Sequence, residues 1–142
     1  MSKTINAGAG AISLVGRILL AVPFILSGVG KLAAPAATEG YIAAMSLPLP
    51  VIAFAIAVIA EVGGGALLLL GWRTRVVALG LAVFSIATAI FFHHDFADQN
   101  QFIHFMKNVM LAGGLLQIVA FGAGEFSLDK RFAVRAGQLR AA

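Results

Sequence analysis

Val76 to Phe92 reads VVALGLAVFSIATAIFF and carries no charge. Arg73-Thr74-Arg75 precedes it and His93-His94-Asp95 follows it. Such a run is nearly the roughly 20 apolar residues that a helix needs to cross a bilayer. It lacks the alternation of a barrel strand with one face to lipid and one to a lumen. The stretch therefore predicts a membrane-spanning helix over about Arg75–Phe92, with lipid as its solvent.

Three more runs flank it, at about Ile12–Leu32, Leu49–Leu70 and Phe102–Phe121. The composition agrees: 61% of the 142 residues are hydrophobic and 11% are charged. A soluble domain carries about 25% charged residues. The expected fold is all-α, a polytopic membrane protein built as a four-transmembrane-helix bundle, one domain over residues 1–142. Pro48 and Pro50 suit a helix start. Gly71-Trp72-Arg73-Thr74-Arg75 reads as a tight basic turn that makes a hairpin of spans two and three. Gly122 and Gly124 suit a helix end. Residues 125–142 form a short charged tail whose Phe126, Leu128 and Phe132 suit the membrane surface. Ala34-Pro35-Ala36 looks like a signal-peptidase site, and cleavage there would leave three spans. The long charged lead and the interruption by Gly28, Gly30 and Lys31 favour the uncleaved reading.

Four spans put both termini on one side. That side carries Lys3, Arg73, Arg75, Lys130, Arg131, Arg135 and Arg140, whereas Lys31 marks the other. The positive-inside rule predicts cytoplasmic termini. The basic pI of about 10.1 thus reads as topology rather than nucleic-acid binding, for which no module is recognisable. The absence of cysteine excludes disulfides, Cys-ligated metal and Cys-held clusters within the chain.

Ionisable groups inside spans are costly, and they mark interiors or function. Arg17, Glu61 and Lys107 are such groups. Glu61 lies near the middle of its span, where a short carboxylate must be paired, hydrated or protonated. It is expected to pair with Arg17 or Lys107, or to hold a proton or ligand. His104, Lys107 and Asn108, at i, i+3 and i+4, share one side of span four. The stretch HHDFADQNQFIHFMKN, His93–Asn108, then reads as the outer rim and upper wall of a polar pocket. Its spacing matches no zinc motif, so no metal is assigned. Ser27-Gly28-Val29-Gly30-Lys31 fails as a phosphate loop, because Ile25 and Leu32 stand where glycine and Ser/Thr are required.

The order of several short motifs adds to this reading. They are Gly16-Arg17 with Phe24, Ser27-Gly28-Val29-Gly30-Lys31-Leu32, Glu61 with Gly63-Gly64, Leu70-Gly71, Phe92-His93, and QNQFIHFMKN followed by Gly113-Gly114-Leu115-Leu116. Together, from about Gly16 to Gly124, they resemble the DoxX family of small four-span bacterial membrane proteins. The resemblance implies a four-helix bundle in the bacterial inner membrane and a link to redox chemistry, since the family's namesake is similar to a subunit of a thiosulfate:quinone oxidoreductase.

Three functions remain open. The first is an oxidoreductase accessory or quinone-interacting subunit. In it Arg17, Glu61, His104, Lys107 and Asn108 are the ligand-binding candidates, and Glu61, His104 and Lys107 the catalytic ones. It needs a quinone, another bound cofactor or a partner subunit, and its partners are the bilayer, a soluble or membrane redox subunit, or a second copy. The second is a small proton-coupled transporter or permeability factor using Glu61. The third is a non-catalytic assembly protein whose polar residues lock helices together.

Overall fold

The computed structural model describes residues 2–141. The side chains of Lys3 and Arg140, two of the topology charges, lie outside the described residues. The helices are α1 (Ser2–Ala33), α2 (Pro35–Ala44), α3 (Pro50–Val58), α4 (Gly65–Leu70), α5 (Thr74–Phe92), α6 (Gln99–Phe121) and α7 (Leu128–Ala141). A π-helical segment, Ile59–Gly64, joins α3 to α4 as one continuous span. No strand occurs among the described residues.

Four helical stretches are long and apolar enough to cross a membrane: Gly8–Ala33, Pro50–Leu70, Thr74–Phe92 and Gln99–Phe121. They coincide with the four expected spans and differ from them at the ends. Span four starts at Gln99 rather than Phe102. The Asp98 carboxylate accepts hydrogen bonds from the N–H groups of Asn100 and Gln101 at 2.7 and 3.3 Å, so the helix is capped ahead of the expected start. Phe96 packs edge-on against Phe102 and Phe105 and pins that loop.

Two helices were not expected. Helix α2 occupies what reads as a loop between spans one and two. Pro35 begins it, Ile42 is buried, and Tyr41 stacks on Phe92 with centroids 5.7 Å apart. Helix α7 orders the tail. The Asp129 carboxylate accepts from the Arg73 and Thr74 N–H groups and from Thr74 Oγ1 at 2.7–2.9 Å. Asp129 thereby caps α5 from across the fold.

The core is built of small side chains and a few large ones: Ala21, Ala78, Ala82 and Ala112 with Phe24, Leu68, Leu81 and Leu115. Lipid tails are as apolar as leucine, so close packing must hold the helices together. Gly28 and Gly65 bring α1 against the second span. A Cβ on Gly28 would lie 2.6 Å from Val62 Cγ2, and one on Gly65 would lie 3.2 Å from the Ala21 carbonyl oxygen. Large apolar side chains such as Leu19, Val76 and Phe121 point outward, as suits a bilayer.

The end of the bundle that carries both chain ends, here the terminal end, is tied by polar contacts. Ser13 Oγ donates to the Ala123 carbonyl at 2.9 Å. Arg17 is 1% exposed. Its Nη1 donates to the carbonyls of Leu68 and Leu69 at 3.2 and 2.8 Å, and its Nη2 to that of Phe126. The last carbonyls of a helix lack intrahelical donors, and Arg17 supplies them for α4. The expectation that Arg17 approaches Glu61 is corrected here. A helical side chain leans toward its own N-terminus, which carries the guanidinium away from mid-span.

Candidate functional site

At the other end, the loop end, the helices splay around a cavity of about 580 Å³. The gap follows from the packing: Gly28 draws α1 onto the π segment, while α5 pairs with α6. Phe24, Ile42, Ile56, Phe84, Phe91 and Leu111 form much of its apolar wall. Ser27, Lys31, Thr38, Tyr41, Glu61, Thr88, His93, His104, Lys107 and Asn108 supply the polar groups. The pocket is mostly apolar with a few placed polar groups, the usual character of a small-molecule site.

Glu61 is 6% exposed, and its partner is Lys31. Lys31 Nζ donates to Oε1 and Oε2 of Glu61 at 2.9 and 2.8 Å and to Ser27 Oγ at 2.9 Å. Ser27 Oγ in turn donates to Glu61 Oε1 at 3.1 Å. An ammonium has three N–H groups, and all three are engaged. This corrects the pairing expected from mid-span depth. Lys31 sits near the loop end of α1, but its side chain leans back into the bundle. Glu61 lies on a span running the opposite way and leans toward the loop end. The two tilts close the axial gap.

The π segment contains Glu61. A π turn holds an extra residue relative to α-helix and re-aims the side chains around it, which is why such turns concentrate at functional sites. Here it presents Glu61 to Ser27 and Lys31 while Val62 packs on Gly28.

Helices α5 and α6 supply the second polar group. His93 and His104 stack with ring centroids 5.0 Å apart, and His93 Nδ1 lies 3.0 Å from Gln101 Oε1. Asn108 Nδ2 donates back to the His104 carbonyl at 3.0 Å, which leaves its side-chain oxygen able to accept. Lys107 is exposed and lines the cavity. The ion pairs among the described residues are Lys31–Glu61 and Lys130–Glu125, so Lys107 is in neither. With Lys31 and Glu61 neutralising each other, Lys107 is the cavity's uncompensated charge. No three of His, Cys, Asp and Glu among the described residues are placed to hold a metal.

Glu61, His104, Lys107 and Asn108 thus border one cavity, and Arg17 stands apart from it at the terminal end. Lys31, Ser27, Thr38, Tyr41 and Thr88 were not singled out as site residues, and His93 was read only as part of the pocket's outer rim. Lys31 reads as a topology charge, and only the Ser27/Lys31 spacing of one helical turn marks them as a pair.

These features define a class: a four-span membrane bundle with an apolar cavity and a buried ion pair at one end. The chain belongs to the DoxX family. The DoxX family model matches residues 12–94. The chain is 39% identical over 120 residues to "Inner membrane protein YqjF" of Escherichia coli (strain K12), covering 82% of this chain and 88% of that one. It is 34% identical over 132 residues to "Inner membrane protein YphA" of the same organism, covering 89% and 94%. No solved structure gives a significant match.

Proposed function

We propose that this protein resides in a bacterial inner membrane and binds a quinone-class carbonyl compound in the loop-end cavity, as an accessory subunit of a membrane oxidoreductase. The observation that carries the reading is the cavity itself. An apolar slot of about 580 Å³ with Lys107, His104 and Asn108 on its wall suits a flat apolar ring bearing hydrogen-bond acceptors. Lys107 is the donor for a ring carbonyl, because Lys31 is already engaged with Glu61 and Ser27. Quinone reduction takes up two electrons and two protons. The electrons come from a partner subunit that carries the donor. The Lys31–Glu61 pair and His104 are the groups able to hand over protons. The two E. coli relatives are inner membrane proteins by name, which supports the location.

The test is purification from native membrane in mild detergent, followed by extraction and mass spectrometry. Quinone at about one per chain is expected, with Lys107→Ala and Glu61→Gln each reducing it. Quinone at the level of bulk membrane lipid would overturn the reading. A proton-coupled transporter is the second reading, favoured by the near-complete burial of the Glu61 carboxylate. Uptake into liposomes that is lost in Glu61→Gln would support it.

A further inference from the structure

A second depression, of about 350 Å³, lies between α1 and α6 and is lined by Leu20, Lys107, Met110 and Leu111. Lys107 and Leu111 also line the main cavity. The two spaces therefore share a wall made of these two side chains. Leu20 and Met110 border the outer groove and are not among the cavity's lining residues. Met110 is 64% exposed, so the groove faces the lipid side.

Depth adds to this. Met110 is eleven residues after Gln99, and Leu20 is thirteen before Ala33. At about 1.5 Å per residue both lie roughly 16–20 Å from the loop end, near the middle of a hydrocarbon core about 30 Å thick. The groove is thus an apolar notch opening at mid-membrane. Its one charged side chain, Lys107, also lines the cavity.

We propose that the ligand is a head-and-tail amphiphile. Its carbonyl-bearing head occupies the cavity, its hydrocarbon tail leaves between α1 and α6 along Leu20 and Met110, and Lys107 holds the neck. This rests on the proposed function and deepens it. It selects a membrane-dissolved, long-tailed compound over a small solute arriving through the loops. Lys107 acts as a specificity residue because it lines both spaces, so its ammonium can meet the head while its alkyl stem packs along the tail.

The experiment uses full-length protein in lipid nanodiscs and two probes, a tailless benzoquinone and the same ring carrying a prenyl tail with a terminal diazirine. Irradiation of the tailed probe should label the α6 peptide around Met110 or the α1 peptide around Leu20. Leu20→Trp and Met110→Trp, each filling the notch, should weaken the tailed probe by about tenfold or more, the scale of one overpacked contact. Binding of the tailless ring should stay within about twofold, since neither residue lines the cavity. Labelling on α2 or the 93–98 loop instead, or equal loss of both probes in both folded variants, would overturn the groove and leave ring binding standing. Failure of wild-type protein to bind either probe would overturn the quinone reading and the groove together.

Discussion

Lys31 and Glu61 form the cavity's ion pair, and their coupling is measurable. Removing one partner of a buried pair leaves the other charge uncompensated, at a cost of about 3–5 kcal/mol in soluble proteins. The Lys31 side chain is 26% exposed, so some water remains available to it. A loss of about 1–3 kcal/mol is expected for Lys31→Met. In Lys31→Met with Glu61→Gln the losses should be clearly less than additive, as a thermal-melting cycle in detergent would read. Additive losses would mean that the two groups are independent. Asp129 gives a pH-dependent contact outside the membrane. Burial pushes its carboxyl up, but the hydrogen bonds from Thr74 and Arg73 and the nearby Arg17 charge outweigh this and hold it below its ordinary value. A depressed carboxyl stabilises the fold above its ordinary value, and that stability is lost as pH falls through the lowered one. Hydrogen exchange at the start of α5 should therefore stay slow through mildly acidic pH and rise only below the ordinary aspartate range. In Asp129→Ala it should be fast at neutral pH, with a loss of about 1–2 kcal/mol for the cap. Glu61 was legible from composition alone, because a short acid in an apolar run has few options. Its partner was not, since residue-count depth ignores the opposite tilts of side chains on antiparallel helices.

At the scale of elements, the contact between α1 and the π segment holds one wall of the cavity. Gly28 allows it, because a side chain there meets the Val62 side chain and backbone. Gly28→Val should separate the two spans, cost about 1–3 kcal/mol, and weaken ligand binding without removing a polar side chain. Unchanged melting and unchanged binding would show that the close approach is dispensable. The four spans were legible because hydrophobic length is a strong, local signal. Helix α2 was not, because its burial depends on the Tyr41–Phe92 stack and on Ile42, contacts distant in sequence. The π turn also leaves no mark in hydropathy: Ile59–Gly64 reads as ordinary apolar helix, and only the placement of Glu61 reveals its consequence. Asp98 could have been recognised as a cap three residues before Gln101, which would have moved the start of span four to its proper place.

The whole molecule divides its polarity between two ends. Arg17, Thr74, Ser127 and Asp129 knit the terminal end, and the cavity with its ion pair occupies the loop end. The positive-inside pattern predicts that the terminal end is cytoplasmic. A chain without cysteine allows a clean check. A cysteine replacing Asp98 should react with an impermeant maleimide in intact cells, and one replacing Gln138 only after lysis; the reverse pattern would invert the orientation. Sequence reasoning grouped Glu61, His104, Lys107 and Asn108, and these four side chains line one cavity. It also placed Arg17 with them, because membrane arginines are ambiguous until the carbonyls they serve are known. The reading of this end as a quinone site meets its most direct test in equilibrium binding of a tailless benzoquinone to protein in nanodiscs. Saturable one-to-one binding is expected, weakened about tenfold or more in Lys107→Ala, the scale of a lost hydrogen bond to a charged donor. Binding that does not saturate, or that is the same in wild type and Lys107→Ala, would contradict it.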